Sequence, residues 1–161
     1  MSEITGIVQI GIVVRSAEEA ARHYARLIGV TDWNINYVDT DNGRGRNFRI
    51  DGNEVSVKAK IAWTNIGNIE LELIEPQDET SLYADYLRSH GPGVHHLMFG
   101  TNDCDRTAER LRGCGIKRIL SGELQATRFH LFDTCDLLGT ISEIAEGEAL
   151  LPEDPRTFPD S

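Results

Sequence analysis

The amino-acid sequence predicts an α+β fold in which two βαβββ modules, at about residues 7–76 and 93–147, share one domain. Residues 7–29 (IVQIGIVVRSAEEAARHYARLIG) and 94–116 (VHHLMFGTNDCDRTAERLRGCGI) repeat one plan: an apolar strand-like run, a helix cap, an amphipathic helix and a glycine stop. The closing runs of the two halves match as well, IELELIEP at 69–76 and TISEIAEG at 140–147. A chain of 161 residues is long enough for one domain with a substantial core and too short for two ordinary ones.

Each module opens on about eight residues of mostly apolar strand character. Ser16 and Asp103 then stand as helix N-caps, and Ser16 with Glu19 has the capping-box spacing. Ala20, Tyr24 and Leu27 in the first helix, and Ala108 and Leu111 in the second, recur on one helical face. Gly29 and Gly115 supply the stops. Further strands are predicted at about 31–38, 54–65 and 68–75, then at about 116–121, 127–133 and 138–146. The stretch DTDNGRGRNFRIDGN between strands two and three of the first half reads as a loop, on its Gly, Asn, Asp and Arg content. A loop of that length is often functional. Residues 148–161 form an acidic, Pro-containing tail that is expected to be extended or little ordered.

The formal net charge of −10 argues against nucleic acid as a partner and against an anionic membrane surface. A local basic site for a small anion remains compatible with it. No apolar run approaches the ~20 residues of a membrane span. The start MSEITGIVQI lacks the pattern of a signal peptide, so a cytoplasmic location is expected. Cys104, Cys114 and Cys135, odd in number and without CxxC spacing, read as free thiols.

Strand side chains alternate between faces. Aligning the two halves sets Gln9 opposite His96 and Glu72 opposite Glu143, each a polar residue in an apolar strand. Glu70 shares the face of Glu72, whereas His95 is expected on the face opposite His96. A buried carboxylate needs a cation or strong donors. Two carboxylates, one imidazole nitrogen and one amide oxygen would form a charge-neutral cage for one divalent cation. Those donors suit Mg, Mn, Fe, Co, Ni or Zn, with two octahedral positions left for substrate or water. Arg44, Arg46, Arg49, Lys58 and Lys60 form a basic cluster able to hold a carboxylate, a phosphate or a CoA tail. Arg128, His130 and Phe132 alternate along one strand. Candidate substrate-binding residues are therefore Arg49, Lys60, Arg128 and His130, while Trp33, Tyr37 and Trp63 read as core.

The stretches VQIGIVV, GNIELELIEP, GPGVHHLMFGTND and RFHLFDTCDLLGTISEIAE, spread over about residues 7–146, resemble the vicinal-oxygen-chelate superfamily of glyoxalase I, bleomycin-resistance proteins and extradiol dioxygenases. Within it they are most similar to the methylmalonyl-CoA epimerase branch, of which HHL after Gly-Pro-Gly, and LGT before a strand with a central Glu, are characteristic. The resemblance implies a cupped mixed sheet, a paired half-barrel with helices outside and the metal within. It places the ligands on Gln9, Glu72, His96 and Glu143. It also implies a small-molecule substrate with adjacent oxygens, proton abstraction alpha to a carbonyl, and a homodimer. Glu143 would be the first base, opposed by Glu72 or Glu54. Two positions depart from the branch. Gln9 stands where epimerases carry His, which is similar instead to some glyoxalase I ligand sets, and the epimerases' extra third-strand glutamate falls near Ser56. The resemblance thus implies an epimerase or isomerase. The alternatives are a glyoxalase-like isomerase or lyase on a 2-oxo adduct and a non-catalytic drug-binding protein. A ring-cleaving dioxygenase needs a 2-His-1-carboxylate triad, from which Gln9 removes one His.

Overall fold

The structure is a computed structural model describing residues 3–160. Its first part runs β1 (Ile4–Val13), α1 (Ala17–Ile28), β2 (Asp32–Asp39), β3 (Arg46–Ile50), β4 (Asn53–Glu54), β5 (Lys58–Ile66), β6 (Ile69–Pro76) and α2 (Leu82–His90). The second runs β7 (Gly93–Thr101), α3 (Cys104–Gly113), β8 (Arg118–Leu124), β9 (Thr127–Phe132), α4 (Cys135–Leu138), β10 (Ile141–Glu146) and β11 (Asp154–Thr157). The two βαβββ modules are present as predicted. Both caps form: Ser16 Oγ accepts from Glu19 N at 3.3 Å, and Asp103 Oδ1 accepts from Arg106 N at 3.0 Å. Gly29 closes α1 in the left-handed region at φ 82°, a conformation that a side chain would strain.

The described strands form one mixed sheet in the order β11-β2-β5-β6-β1-β7-β10-β9-β8-β3-β4. β1 and β7, the equivalent first strands, pair antiparallel at its centre, and each has the last strand of its own module parallel on its outer side. α1 packs outside against β5 and β6, and α3 outside against β9 and β10. The inner face carries its own apolar cluster, including Val38, Ile61, Trp63, Leu120, Phe129 and Leu131. The outer clusters gather Trp33, Ile35 and Leu73 under α1, and Phe132 and Ile144 under α3.

Three segments differ from the sequence-based expectation. The predicted loop at 39–53 contains β3, which crosses to the far edge and pairs with β8 of the other module. The anchor is Phe48, the one apolar side chain in RNFR, buried edge-on against Phe129 with ring centroids 5.3 Å apart. Its ring fits because position 122 is glycine: a Cβ there would lie 2.8 Å from it. Second, α2 fills the stretch left unassigned between the modules, capped by Ser81 Oγ accepting from Ala84 N at 3.2 Å. Third, the tail is ordered into structure. β11 adds antiparallel to β2, and Phe158 is buried in the α1 cluster. Before it, residues 148–153 run as a strap between the two halves. Leu151 O accepts from Asn36 Nδ2 and Gln125 Nε2, and Leu151 N donates to Gln125 Oε1. Cys104 is buried and its thiol pushed up to about 12 by burial, so it stays neutral.

Candidate active site

Gly11 and His96 are register partners across β1 and β7, and the His96 ring lies directly over the glycine. A Cβ at position 11 would sit 2.1 Å from His96 Cε1, so only glycine permits the stack. One step further the register slips: Gly11 faces His96 but Ile12 faces Val94, leaving His95 as an extra residue in a β-bulge. The bulge cancels the expected alternation. His95 turns toward its neighbour, with Nδ1 to Nδ1 at 3.0 Å, and its ring is packed by Tyr83 and Tyr86, each 5.0 Å away. Burial holds His95 at about 4 and His96 well below the ordinary histidine value, so both rings are neutral near pH 7.

His96 Nε2 is where the predicted quartet converges. It lies 3.0 Å from Gln9 Oε1, 3.0 Å from Glu143 Oε2 and 3.9 Å from Glu72 Oε2. All four side chains belong to residues no more than 6% exposed. Gln9 Nε2 donates to Glu70 Oε1 at 2.6 Å, which turns the amide oxygen toward His96. Burial, and then the field of Glu70, push Glu143 up to about 8. Glu72 is pushed well above the usual carboxylate range by burial, with Glu70 and Glu143 adding repulsion. Burial also raises Glu70, against the opposing effect of its Gln9 hydrogen bond. Among the described residues, no Lys or Arg reaches these three carboxylates within ion-pair range; Nε2 of neutral His96 is the side-chain nitrogen that approaches Glu72 and Glu143 within that range. The donors close on one another, and no group of three or more His, Cys, Asp or Glu among the described residues is already spaced around a metal position.

Gln9, Glu70, Glu72 and Glu143 stand on the wall of a cavity of about 420 Å3 inside the cup. Tyr83, brought in by α2, also lines it, as do Phe48 and Phe129. Thr5, Asn65, Asn68, Asn102 and Glu148 line it while exposed to solvent, so they mark the mouth. These residues gather at one end of the sheet, where β1 and β6 begin and β7 and β10 end.

The four candidate substrate residues lie elsewhere. Arg49 pairs with Glu54 at 2.9 Å on the β3–β4 edge, and Lys60 pairs with Glu18 of α1 at 2.5 Å. Arg128 pairs with Asp105 of α3 and with Glu146, at 3.1 and 3.2 Å. His130 is buried beside Phe132, its ring nitrogens without a hydrogen-bond partner among the described residues, and burial pushes it down to about 4. None of the four lines the cavity. Alternation is the reason: Ala59, Ile61, Thr127 and Phe129 face inward, so residues 60, 128 and 130 face out. Glu54 is exposed, and Ser56 donates to Asp41, so neither reaches the cavity. Missed at the sequence level were Tyr83, whose helix was not assigned, and Leu150 of the strap. Glu70 carried a usable signal in sharing the face of Glu72.

Comparison with known proteins agrees with this architecture. Residues 8–131 match the glyoxalase/bleomycin resistance protein/dioxygenase superfamily. A stretch of 73 residues, 45% of the chain, is 32% identical to 4-hydroxyphenylpyruvate dioxygenase of Legionella pneumophila strain Corby. The same length is 30% identical to the Pseudomonas aeruginosa enzyme of that name. The chain spans only about a fifth of either protein, 21% and 20%. Among solved structures, methylmalonyl-CoA epimerase from Mycobacterium tuberculosis superposes with a TM-score of 0.67 at 22% identity, covering 92% of both chains. A Streptomyces coelicolor methylmalonyl-CoA epimerase variant in complex with 2-nitronate-propionyl-CoA gives 0.60 at 24% identity, covering 91% of this chain and 99% of that one. With the paired modules in place and the profile match spanning most of the chain, the protein belongs to the glyoxalase/bleomycin resistance protein/dioxygenase superfamily.

Proposed function

We propose that the protein is a metal-dependent isomerase that removes a proton alpha to a carbonyl, with Gln9, Glu72, His96 and Glu143 as ligands of one divalent cation. The supporting observation is the convergence of two buried carboxylates, an imidazole nitrogen and an amide oxygen with no Lys or Arg among the described residues to balance them. Burying carboxylates costs several kcal/mol unless charge compensates them, and a divalent cation offsets Glu72 and Glu143 fully. The donor chemistry fits such an ion. Bound there, it would supply Lewis-acid stabilisation of the charge that develops on a carbonyl oxygen as its alpha proton leaves.

The chain's own groups do the rest. Glu143 is the first candidate base: it faces the cavity, and a carboxylate placed there can take a carbon-bound proton. Glu72, also within ion-pair range of His96 Nε2, is the second. His95 and Glu70 fix which atoms of His96 and Gln9 face inward. Phe48, Met98 and Phe129 help keep the wall apolar. Two opposed bases give epimerisation; proton movement between adjacent carbons gives a glyoxalase-type isomerisation. Gln9 as a ligand, and the absence of Glu54 and Ser56 from the cavity wall, favour the second. The same Gln9 leaves a dioxygenase triad one histidine short.

Elemental analysis of the purified protein, followed by stringent chelation and reconstitution with Co, Ni, Zn, Mn, Fe and Mg, tests the proposal. The readout is solvent deuterium incorporation at the alpha carbon across a panel of acyl-CoA and 2-oxo substrates. Loss on chelation and return on reconstitution is expected. Undiminished exchange in metal-free protein refutes it.

A further inference from the structure

We infer that the cavity selects an uncharged, mainly apolar carbonyl compound and disfavours acyl-CoA thioesters and other multiply anionic ligands. This names the substrate class of the site proposed above and rests on that reading. The acidic residues on the described lining are Glu70, Glu72, Glu143, Glu146 and Glu148; no Lys, Arg or His stands among them. A divalent cation offsets only two of those carboxylates. Glu146 is further held by Arg128 from the helix side and accepts from Cys104 N at 2.9 Å. Glu70 inside is held by the Gln9 amide at 2.6 Å, and Glu148 at the mouth remains to oppose an incoming anion.

The cations that sequence position suggests for the task are engaged elsewhere. Lys60, Arg128 and Arg49 each hold a carboxylate outside the cavity. Apart from Glu148, the mouth presents Thr5, Asn65, Asn68 and Asn102, which offer phosphates no charge-assisted partner. The walls between mouth and quartet are hydrocarbon. Val57 and Ile61 come from the first module, Leu124 and Phe129 from the second, and Phe48 arrives on the crossing strand. The strap bounds the space as well: Leu150 lines it, next to Leu151, whose backbone is hydrogen-bonded to Gln125 and Asn36. A volume of about 420 Å3 falls within the roughly 300–1,000 Å3 of small-molecule sites. That suits a compact ligand with an aromatic or branched aliphatic body whose two oxygens face the quartet.

Isothermal titration of the purified protein, metal-free and after zinc loading, tests this with two matched pairs and one thioester. Acetophenone against 4-carboxyacetophenone reads charge preference without chelation. Benzohydroxamic acid against 4-carboxybenzohydroxamic acid reads it with chelation, and methylmalonyl-CoA represents the anionic class. The neutral member of each pair is expected to bind at least about tenfold tighter, and methylmalonyl-CoA more weakly than benzohydroxamic acid by a similar factor. Glu148→Lys, at an exposed position, is expected to narrow each gap severalfold. Carboxylated probes or methylmalonyl-CoA binding as tightly as the neutral probes overturns the inference, and so does failure of both neutral probes to bind. Neutral preference in both pairs, with no gain in hydroxamate affinity on zinc loading, upholds the charge selection and refutes the metal proposal.

Discussion

Replacing His95 with phenylalanine separates the orientation of His96 from the packing around it. The His95 ring is nearly fully buried, lies 5.0 Å from each of two tyrosine rings, and makes one polar contact, the 3.0 Å approach to His96 Nδ1. A phenylalanine ring fills similar space, so the packing persists while the contact is lost. One of the two facing nitrogens must carry the proton. For His96 Nε2 to offer its lone pair to a cation, that proton sits on His96 Nδ1 and is donated to His95. Deleting such an outer partner lowers metal affinity by about 10–100-fold, or about 1.4–2.7 kcal/mol. Its loss leaves His96 Nδ1 buried and unpaired, which costs about 1–3 kcal/mol, so the metal-free melting temperature should fall by roughly 2–12 °C in a chain of this length. Chelator-competition titration with zinc, beside thermal unfolding of the metal-free protein, measures both quantities. Zinc affinity within about twofold of the parent would show that His95 does not position a ligand.

Four further outcomes are expected. Glu143→Gln should lower alpha-proton exchange by roughly 10²–10⁴-fold, as read in the deuterium assay with saturating metal; near-parental exchange would remove it as the base. Glu70→Leu frees the Gln9 amide to rotate and should weaken zinc binding by about tenfold, measured by the same competition titration. Gly11→Ala places a methyl 2.1 Å from the His96 ring, and should cost about 1–3 kcal/mol in urea unfolding together with most of the zinc affinity. His130 gives a pH signature independent of the metal site. Burial keeps it neutral in the fold down to about pH 4, while the unfolded chain charges near its ordinary value of 6.5. Between those values the unfolded state binds the extra proton, so stability present above 6.5 is lost as the pH falls toward 4. His130→Phe should therefore lose less stability than the parent between about pH 6.5 and about pH 4.5, seen in urea midpoints; identical losses would contradict it.

The paired modules were legible because caps, glycine stops and apolar periodicity recur together in both halves, and every local signal agrees with the global plan. The quartet was legible because polar residues interrupt apolar strands at repeat-equivalent positions. Period-two alternation sorts residues onto two faces without saying which face lines the cavity, so the sequence alone does not show that Arg128 and His130 lie off the cavity wall. A bulge is invisible to alternation, so the approach of His95 could not be read. β3 was hidden by its composition, one phenylalanine amid Arg, Asn and Gly, with its pairing partner some seventy residues away. α2 has only nine residues and a weak apolar stripe.

Each half lends the other a strand. β3 departs from the first module to sit on β8, and β11 returns from the end of the second to sit on β2. The exchange leaves both moieties unfinished in isolation, with bare rims open to mispairing. Chains severed near Gly91 should therefore regain structure only when both pieces are mixed. In the intact polypeptide, the joins span such distances along the chain that assembly should be slow and unfolding all-or-none.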